Sequence, residues 1–126
     1  MHPLVFPWLR SARLWQIADL RRICELAHRY GALVAVDNSI MAPIFQSPLA
    51  LGADIVMNSA TKFIAGHSDV TAGILSVRGK ALAAEIYQHQ IVEGATLGPF
   101  DSWLCLRGLK VRACVFVCVD GNMTLW

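Results

Sequence analysis

Lys62 lies inside "NSATKFIAGHSD", residues 58–69, with Ser59, Ala60 and Thr61 before it and Phe63 and Ile64 after it. Small hydroxyl residues on one side and an apolar pair on the other do not suit an ordinary surface charge. An amine held partly out of water is available as a nucleophile for Schiff-base formation with a carbonyl. The two hydroxyls and the loop amides beside it can hold a phosphate. Asp37 follows the apolar run "ALVAV", residues 32–36, and its carboxylate can hold a protonated ring nitrogen. Lysine, carboxylate and phosphate donors together are what pyridoxal phosphate requires. Each residue also has a plainer reading. Lysines are usually exposed, an Asp after a strand often caps a turn, and loop hydroxyls often bond local backbone. The residues by themselves leave both readings open.

These groups need elements to bring them together. Residues 17–30 place Ile17, Leu20, Ile23, Cys24, Ala27 and Tyr30 at spacings of three and four, the pattern of an amphipathic helix. Gly31 stands where helices commonly stop. "ALVAV" reads as a strand buried on both faces, and "DIVM", residues 54–57, as a second. Between them "NSIMAPIFQSP" reads as irregular, and "LALG" as one helical turn closed by Gly52. The stretch carrying Lys62 reads as a loop. Residues 70–77 form a third expected strand, and helices are expected over 79–91 and from Pro99 onward. The pattern is that of an α/β sheet covered by helices. In such sheets ligands bind beyond the carboxyl ends of the strands. Asp37, Ser59, Thr61 and Lys62 face one crevice if the first two strands are parallel neighbours.

Composition restricts the remaining possibilities. The chain has 126 residues, 56% hydrophobic and 16% charged. Ordinary soluble domains are about 45–50% apolar and about 25% charged. So short a chain with so much apolar surface expects cover from further chain or from a partner. A membrane span does not explain the excess. The longest purely apolar run, Ala113 to Val119, is far short of the roughly 20 residues a span needs. With a net charge of +2 and no basic run, nucleic-acid binding has no support. Cys24, Cys105, Cys114 and Cys118 form no C-x-x-C pair and no zinc spacing with the histidines, so they read as reduced, buried residues of an intracellular protein.

"DIVMNSATKFIAGHS", residues 54–68, resembles the cofactor-attachment signature of the pyridoxal-phosphate enzymes of cysteine and methionine metabolism. That pattern runs Asp, an apolar residue, three further residues, two small residues, Thr-Lys, an aromatic, an apolar residue, any residue, then Gly-His-Ser. Every specified position is met. "VDNSIMAPIFQSPLALGAD", residues 36–54, resembles the segment leading into it, as does the separation of 25 positions from Asp37 to Lys62. "VDNSIM" (36–41), "ATKFIAGHSDV" (60–70) and "EGATLGPFDSWLCLRGLK" (93–110) are most similar to the cystathionine β-lyase branch of plant type, with the cystathionine γ-synthase branch second.

The resemblance implies a fold, roles and a reaction. The fold is a fragment of the large pyridoxal-phosphate-binding domain of fold-type I, aminotransferase-like enzymes, with a mostly parallel sheet. Residues 16–110 would be that partial domain, 1–15 a divergent N-terminal segment and 111–126 a divergent C-terminal tail. Lys62 would be the Schiff-base lysine and the base that takes the substrate's α-proton. Asp37 would pair with the pyridinium nitrogen, and Ser59 and Thr61 would bind the cofactor phosphate. His67 would order the loop, and Asp69 and Glu93 would be solvated or structural. The reaction would be α,β-elimination of cystathionine to homocysteine, pyruvate and ammonia in methionine biosynthesis. The implied assembly is a homo-oligomer, a dimer of dimers, and the implied compartment is the plastid stroma in a plant and the cytoplasm otherwise. Family enzymes are much longer. They draw a stacking tyrosine, a Tyr-x-Arg segment of the neighbouring subunit and a carboxylate-binding arginine from regions with no match here. This stretch alone is therefore expected to be inactive, and association with a full-length relative is the non-enzymatic alternative.

Overall fold

A computed structural model describes residues 4–5 and 17–120, with side chains over 17–111. The expectations for residues 6–15 and for the Cys114 and Cys118 side chains lie outside these. The elements in chain order are β1 (Leu4–Val5), α1 (Leu20–Arg29), β2 (Leu33–Asp37), α2 (Ala42–Phe45), α3 (Pro48–Leu51) and β3 (Ile55–Ser59). A π-helical turn (Ala60–Ile64), β4 (Gly73–Val77), α4 (Lys80–Glu93) and α5 (Pro99–Asp120) follow. The sheet order is β1-β2-β3-β4. β1 and β2 are parallel, as are β2 and β3, with Val36 opposite Val56 and Asp37 opposite Met57. Arg78, just past β4, donates its amide to the Asp54 carbonyl, just before β3. β4 therefore runs antiparallel to β3, and the sheet is mixed with a parallel majority. The expected α/β architecture with a mostly parallel sheet is the observed one.

The residues fall into two compact units. The first comprises Met1–Asn58 and Ile74–Thr96 and holds the core. Asp19 caps α1 by accepting the Arg22 amide at 3.1 Å. Leu20, Cys24 and Ala27, one stripe of that helix, pack with Ala32, Val34, Val36, Ala53 and Val56. Val34, Ala35 and Val36 are all buried, as a strand covered on both faces requires. β3 corrects the expectation made for it. Val56 and Asn58 are buried while Ile55, Met57 and Ser59 are only half-buried, so one face of β3 is covered and the other partly open. A short helix, Ala42–Phe45, replaces part of the expected irregular stretch. Gly52 closes α3 in a left-handed conformation with φ +116°, and a Cβ there would lie 3.0 Å from the Cys24 Cβ. α1 and α3 approach closely at that point.

Asp54 joins three elements. Its Oδ2 accepts the Val34 amide at 2.8 Å and lies 2.8 Å from His28 Nε2, which ties the C-terminal end of α1 to the starts of β2 and β3. α4 has no buried residue at all. The second unit comprises Ser59–Gly73 and Leu97–Trp126. In it α5 buries Leu104, Cys105 and Gly108, and the π turn buries Ala60 and Ile64. No helix among the described residues is long and apolar enough to cross a membrane.

Candidate active site

The stretch expected as a loop is a structured turn. The Ala65 amide donates to the Ala60 carbonyl at 2.8 Å, the five-residue span of a π turn, and the Gly66 amide donates to the Lys62 carbonyl at 2.9 Å. Single π turns concentrate at functional sites. Lys62 itself departs from helical geometry, with φ −84° and ψ −119°. Lys62 is the kink between two tight turns, each closed by its own backbone bond.

Thr61 closes the segment that follows. The amides of Ala60 and Thr61 both donate to the Ala72 carbonyl, at 2.8 and 3.3 Å. Thr61 Oγ1 accepts the Ala72 amide at 2.9 Å, while its own proton faces the Ala72 carbonyl at a slack 3.4 Å. The donor capacity of that hydroxyl is therefore only weakly spent. Ser59 ends β3 and is half-buried. The Lys62 side chain is exposed. This corrects the expectation of a partly desolvated amine: within this chain, Phe63 also points outward at 58% exposure and does not cover it.

Ser59, Thr61 and Lys62 thus share one turn of the second unit. Asp37 belongs to the first unit. It ends β2, half-buried, and its Oδ1 accepts the Ser39 amide at 2.9 Å in a local turn. Ser39 Oγ lies 3.8 Å from the sulfur of Met57, the register partner of Asp37. β2 and β3 are parallel neighbours.

Other residues of this region escaped the sequence reading. Asn38 and Asn58 are both buried, and both keep an Oδ1 without a hydrogen-bond partner. Asn38 anchors the segment after β2 by donating Nδ2 to the Gln46 carbonyl at 3.0 Å. Strand parity could have found them: Val34, Val36 and Asn38 share one face, as do Val56 and Asn58. His67 donates Nδ1–H to the Ala65 carbonyl, which leaves it ordering the segment after Lys62. Asp69 pairs with Arg107 of α5. The thiol of Cys24 is pushed up from its ordinary value, first by burial and then by the Asp54 carboxylate, with Arg78 opposing. That keeps Cys24 protonated and inert. Among the described residues no group of His, Cys, Asp and Glu can hold a metal ion.

The family model for Cys/Met metabolism PLP-dependent enzymes matches residues 4–113. The chain is 65% identical over 108 residues to the chloroplastic cystathionine β-lyase of Arabidopsis thaliana, covering 84% of this chain and 23% of that protein. It is 57% identical over 106 residues to the chloroplastic cystathionine β-lyase of Mimosa pudica, covering 82% and 23%. A crystal structure of cystathionine γ-synthase from Xanthomonas oryzae, in complex with aminoacrylate and cysteine, superposes with TM-score 0.84 at 41% identity, covering 88% of this chain and 29% of that one. The chain therefore spans about a quarter of the length of the curated relatives it matches. With its lysine on a turn at the end of a parallel strand, and with the family match running through nearly all of its length, the chain belongs to the Cys/Met metabolism PLP-dependent enzymes.

Proposed function

We propose that this chain supplies the lysine-bearing half of a carbon–sulfur lyase site that eliminates homocysteine from cystathionine. The observation that supports this most is the Lys62 turn: an exposed amine on a braced π turn, within a stretch 65% identical to a plant cystathionine β-lyase. The residues present fit pyridoxal phosphate by the chemistry of their donors. Lys62 offers an amine to its aldehyde. Thr61 offers a hydroxyl proton only weakly engaged, and Ser59 a second hydroxyl, to its phosphate. Asp37 offers a carboxylate to its ring nitrogen. When bound, the cofactor supplies the electron sink for the substrate carbanion. Lys62 would hold the cofactor aldehyde through its amine and would take the substrate's α-proton. Asp37 would hold the ring nitrogen, and the Ser59 and Thr61 hydroxyls would hold the phosphate, which would keep the amine in reach. Homocysteine, pyruvate and ammonia would be the products of the complete enzyme; chloroplastic relatives favour the plastid stroma if the source is a plant, and the cytoplasm otherwise. The complete enzyme would be a homo-oligomer.

The test is a visible absorbance titration of the chain with pyridoxal phosphate, followed by borohydride reduction and peptide mass analysis. The expected result is a band that reduction fixes on the Lys62 peptide and that Lys62→Ala abolishes. A band unchanged in Lys62→Ala would refute the assignment. A second reading, transfer to a thiol to form cystathionine, is favoured by the likeness to the γ-synthase structure. Pyruvate release from cystathionine by the full-length protein would select the lyase; cystathionine formation from cysteine and an activated homoserine would select the transferase.

A further inference from the structure

We infer that α5 positions Lys62, through Gly108 and the Arg107–Asp69 ion pair. The inference rests on the proposed role of Lys62 and names the residues that set where its turn lies. Ala65 is the junction of that turn. It is 1% exposed, its amide closes the π turn on Ala60, and its carbonyl receives the His67 ring. The backbone of Ala65 lies directly against Gly108. A Cβ at position 108 would stand 2.6 Å from the Ala65 Cα and 2.7 Å from its carbonyl carbon, and nearer still to its carbonyl oxygen. These are rigid backbone atoms, so any larger residue must push the helix and the turn apart.

The second anchor is one residue away on the same helix. Arg107 pairs with Asp69, at the end of the bend that leaves the turn through Gly66 (φ +69°) and Ser68 (φ +56°). Trp103, one helical turn earlier, faces the same guanidinium at 5.9 Å from its ring centre and restrains it further. The segment from Ala65 to Asp69 is thus held at both ends by adjacent residues of α5. The Gly66 amide, which holds the Lys62 carbonyl, lies within it. A helix that carries no proposed cofactor contact thereby sets the backbone of the residue that does.

The test uses the whole chain with Gly108→Ala, Asp69→Asn, Arg107→Met and the charge-exchanged double variant Asp69→Arg/Arg107→Asp. Two quantities are read: retention of pyridoxal phosphate with the pH midpoint of its visible band, and hydrogen exchange at the Ala65 and Gly66 amides. We expect retention to fall roughly 10–100-fold, as when the hydrogen-bond partner behind a metal-holding side chain is removed. The pH midpoint should move, and the double variant should recover most of both effects. Wild-type retention and midpoint in Gly108→Ala and Asp69→Asn would overturn the inference. If the unaltered chain forms no band, the reading of Lys62 fails instead, and amide exchange decides the positioning role. Faster exchange at Ala65 and Gly66 in Asp69→Asn sustains it, and unchanged exchange overturns it.

Discussion

Asp54 carries more of the local structure than its place in the attachment signature suggests. Its carboxylate receives both His28 and the amide of the buried Val34. Asp54→Ala leaves that amide unpaired away from water, a loss of about 1–3 kcal/mol. Urea denaturation should show this as a lower midpoint with an unchanged slope. His28→Ala should cost less, because its side chain is 42% exposed and the Val34 bond survives. Cys24 makes a pH prediction. Its thiol is raised above the ordinary 9.0, so the unfolded chain ionises it at a lower pH than the folded chain does. Its contribution to stability is full below pH 9.0 and declines as pH rises from there through the higher folded value. Cys24→Ala should be less stable at neutral pH and should lose that part of the alkaline decline, as read by denaturation at a series of pH values.

At the scale of elements, α1 and α3 meet where Gly52 leaves room for Cys24. Gly52→Ala adds a left-handed strain of about 1–2 kcal/mol and a Cβ at 3.0 Å from the Cys24 Cβ. It should destabilise the first unit by more than Asp19→Ala, which removes one helix cap worth about 1 kcal/mol. Thermal denaturation of the two variants side by side checks the order. The hairpin from β3 to β4 has a different logic. Thr61 and Ala72 clasp its base by side chain and backbone together. Thr61→Val keeps the shape and removes the acceptor of the Ala72 amide. We expect faster hydrogen exchange at Ala72 and weaker retention of pyridoxal phosphate, whereas Thr61→Ser should preserve both.

The molecule as a whole leaves much apolar surface uncovered. Tyr87, Ile91 and Val92 of α4 are exposed at 58%, 52% and 82%, and no residue of that helix is buried. Helices owe most of their stability to packing, and a 14-residue helix that only half-buries Leu82, Ala83 and Ile86 is marginal in water. Hydrogen exchange over Lys80–Glu93 should therefore be fast while the amides of β2 remain protected. Exposed apolar surface of this extent favours association. Sedimentation of the isolated chain should show mass rising with concentration, and Ile91→Lys with Val92→Lys should reduce it. A chain that stayed monomeric at high concentration would contradict this.

Much of this was legible in the order of residues. The alternation of an amphipathic helix with short valine-rich runs indicated an α/β sheet, because helical and extended periods bury different spacings. The Thr-Lys pair with its flanking pattern indicated the family, and the surplus of apolar residues indicated a piece of something larger. The sequence also located Asp37 at the end of its strand, directly after an apolar run, and Lys62 in the polar stretch that follows the second run. Other features depend on contacts between residues far apart in the chain. The antiparallel sense of β4 follows from a bond between Asp54 and Arg78, and the pairing of Asp69 with Arg107 spans 38 positions. The exposure of Lys62 and the close seat of Gly108 against Ala65 were equally invisible. Periodicity reports which face of an element is apolar; only packing decides what covers that face, and here it leaves the lysine open while α5 holds the turn beneath it.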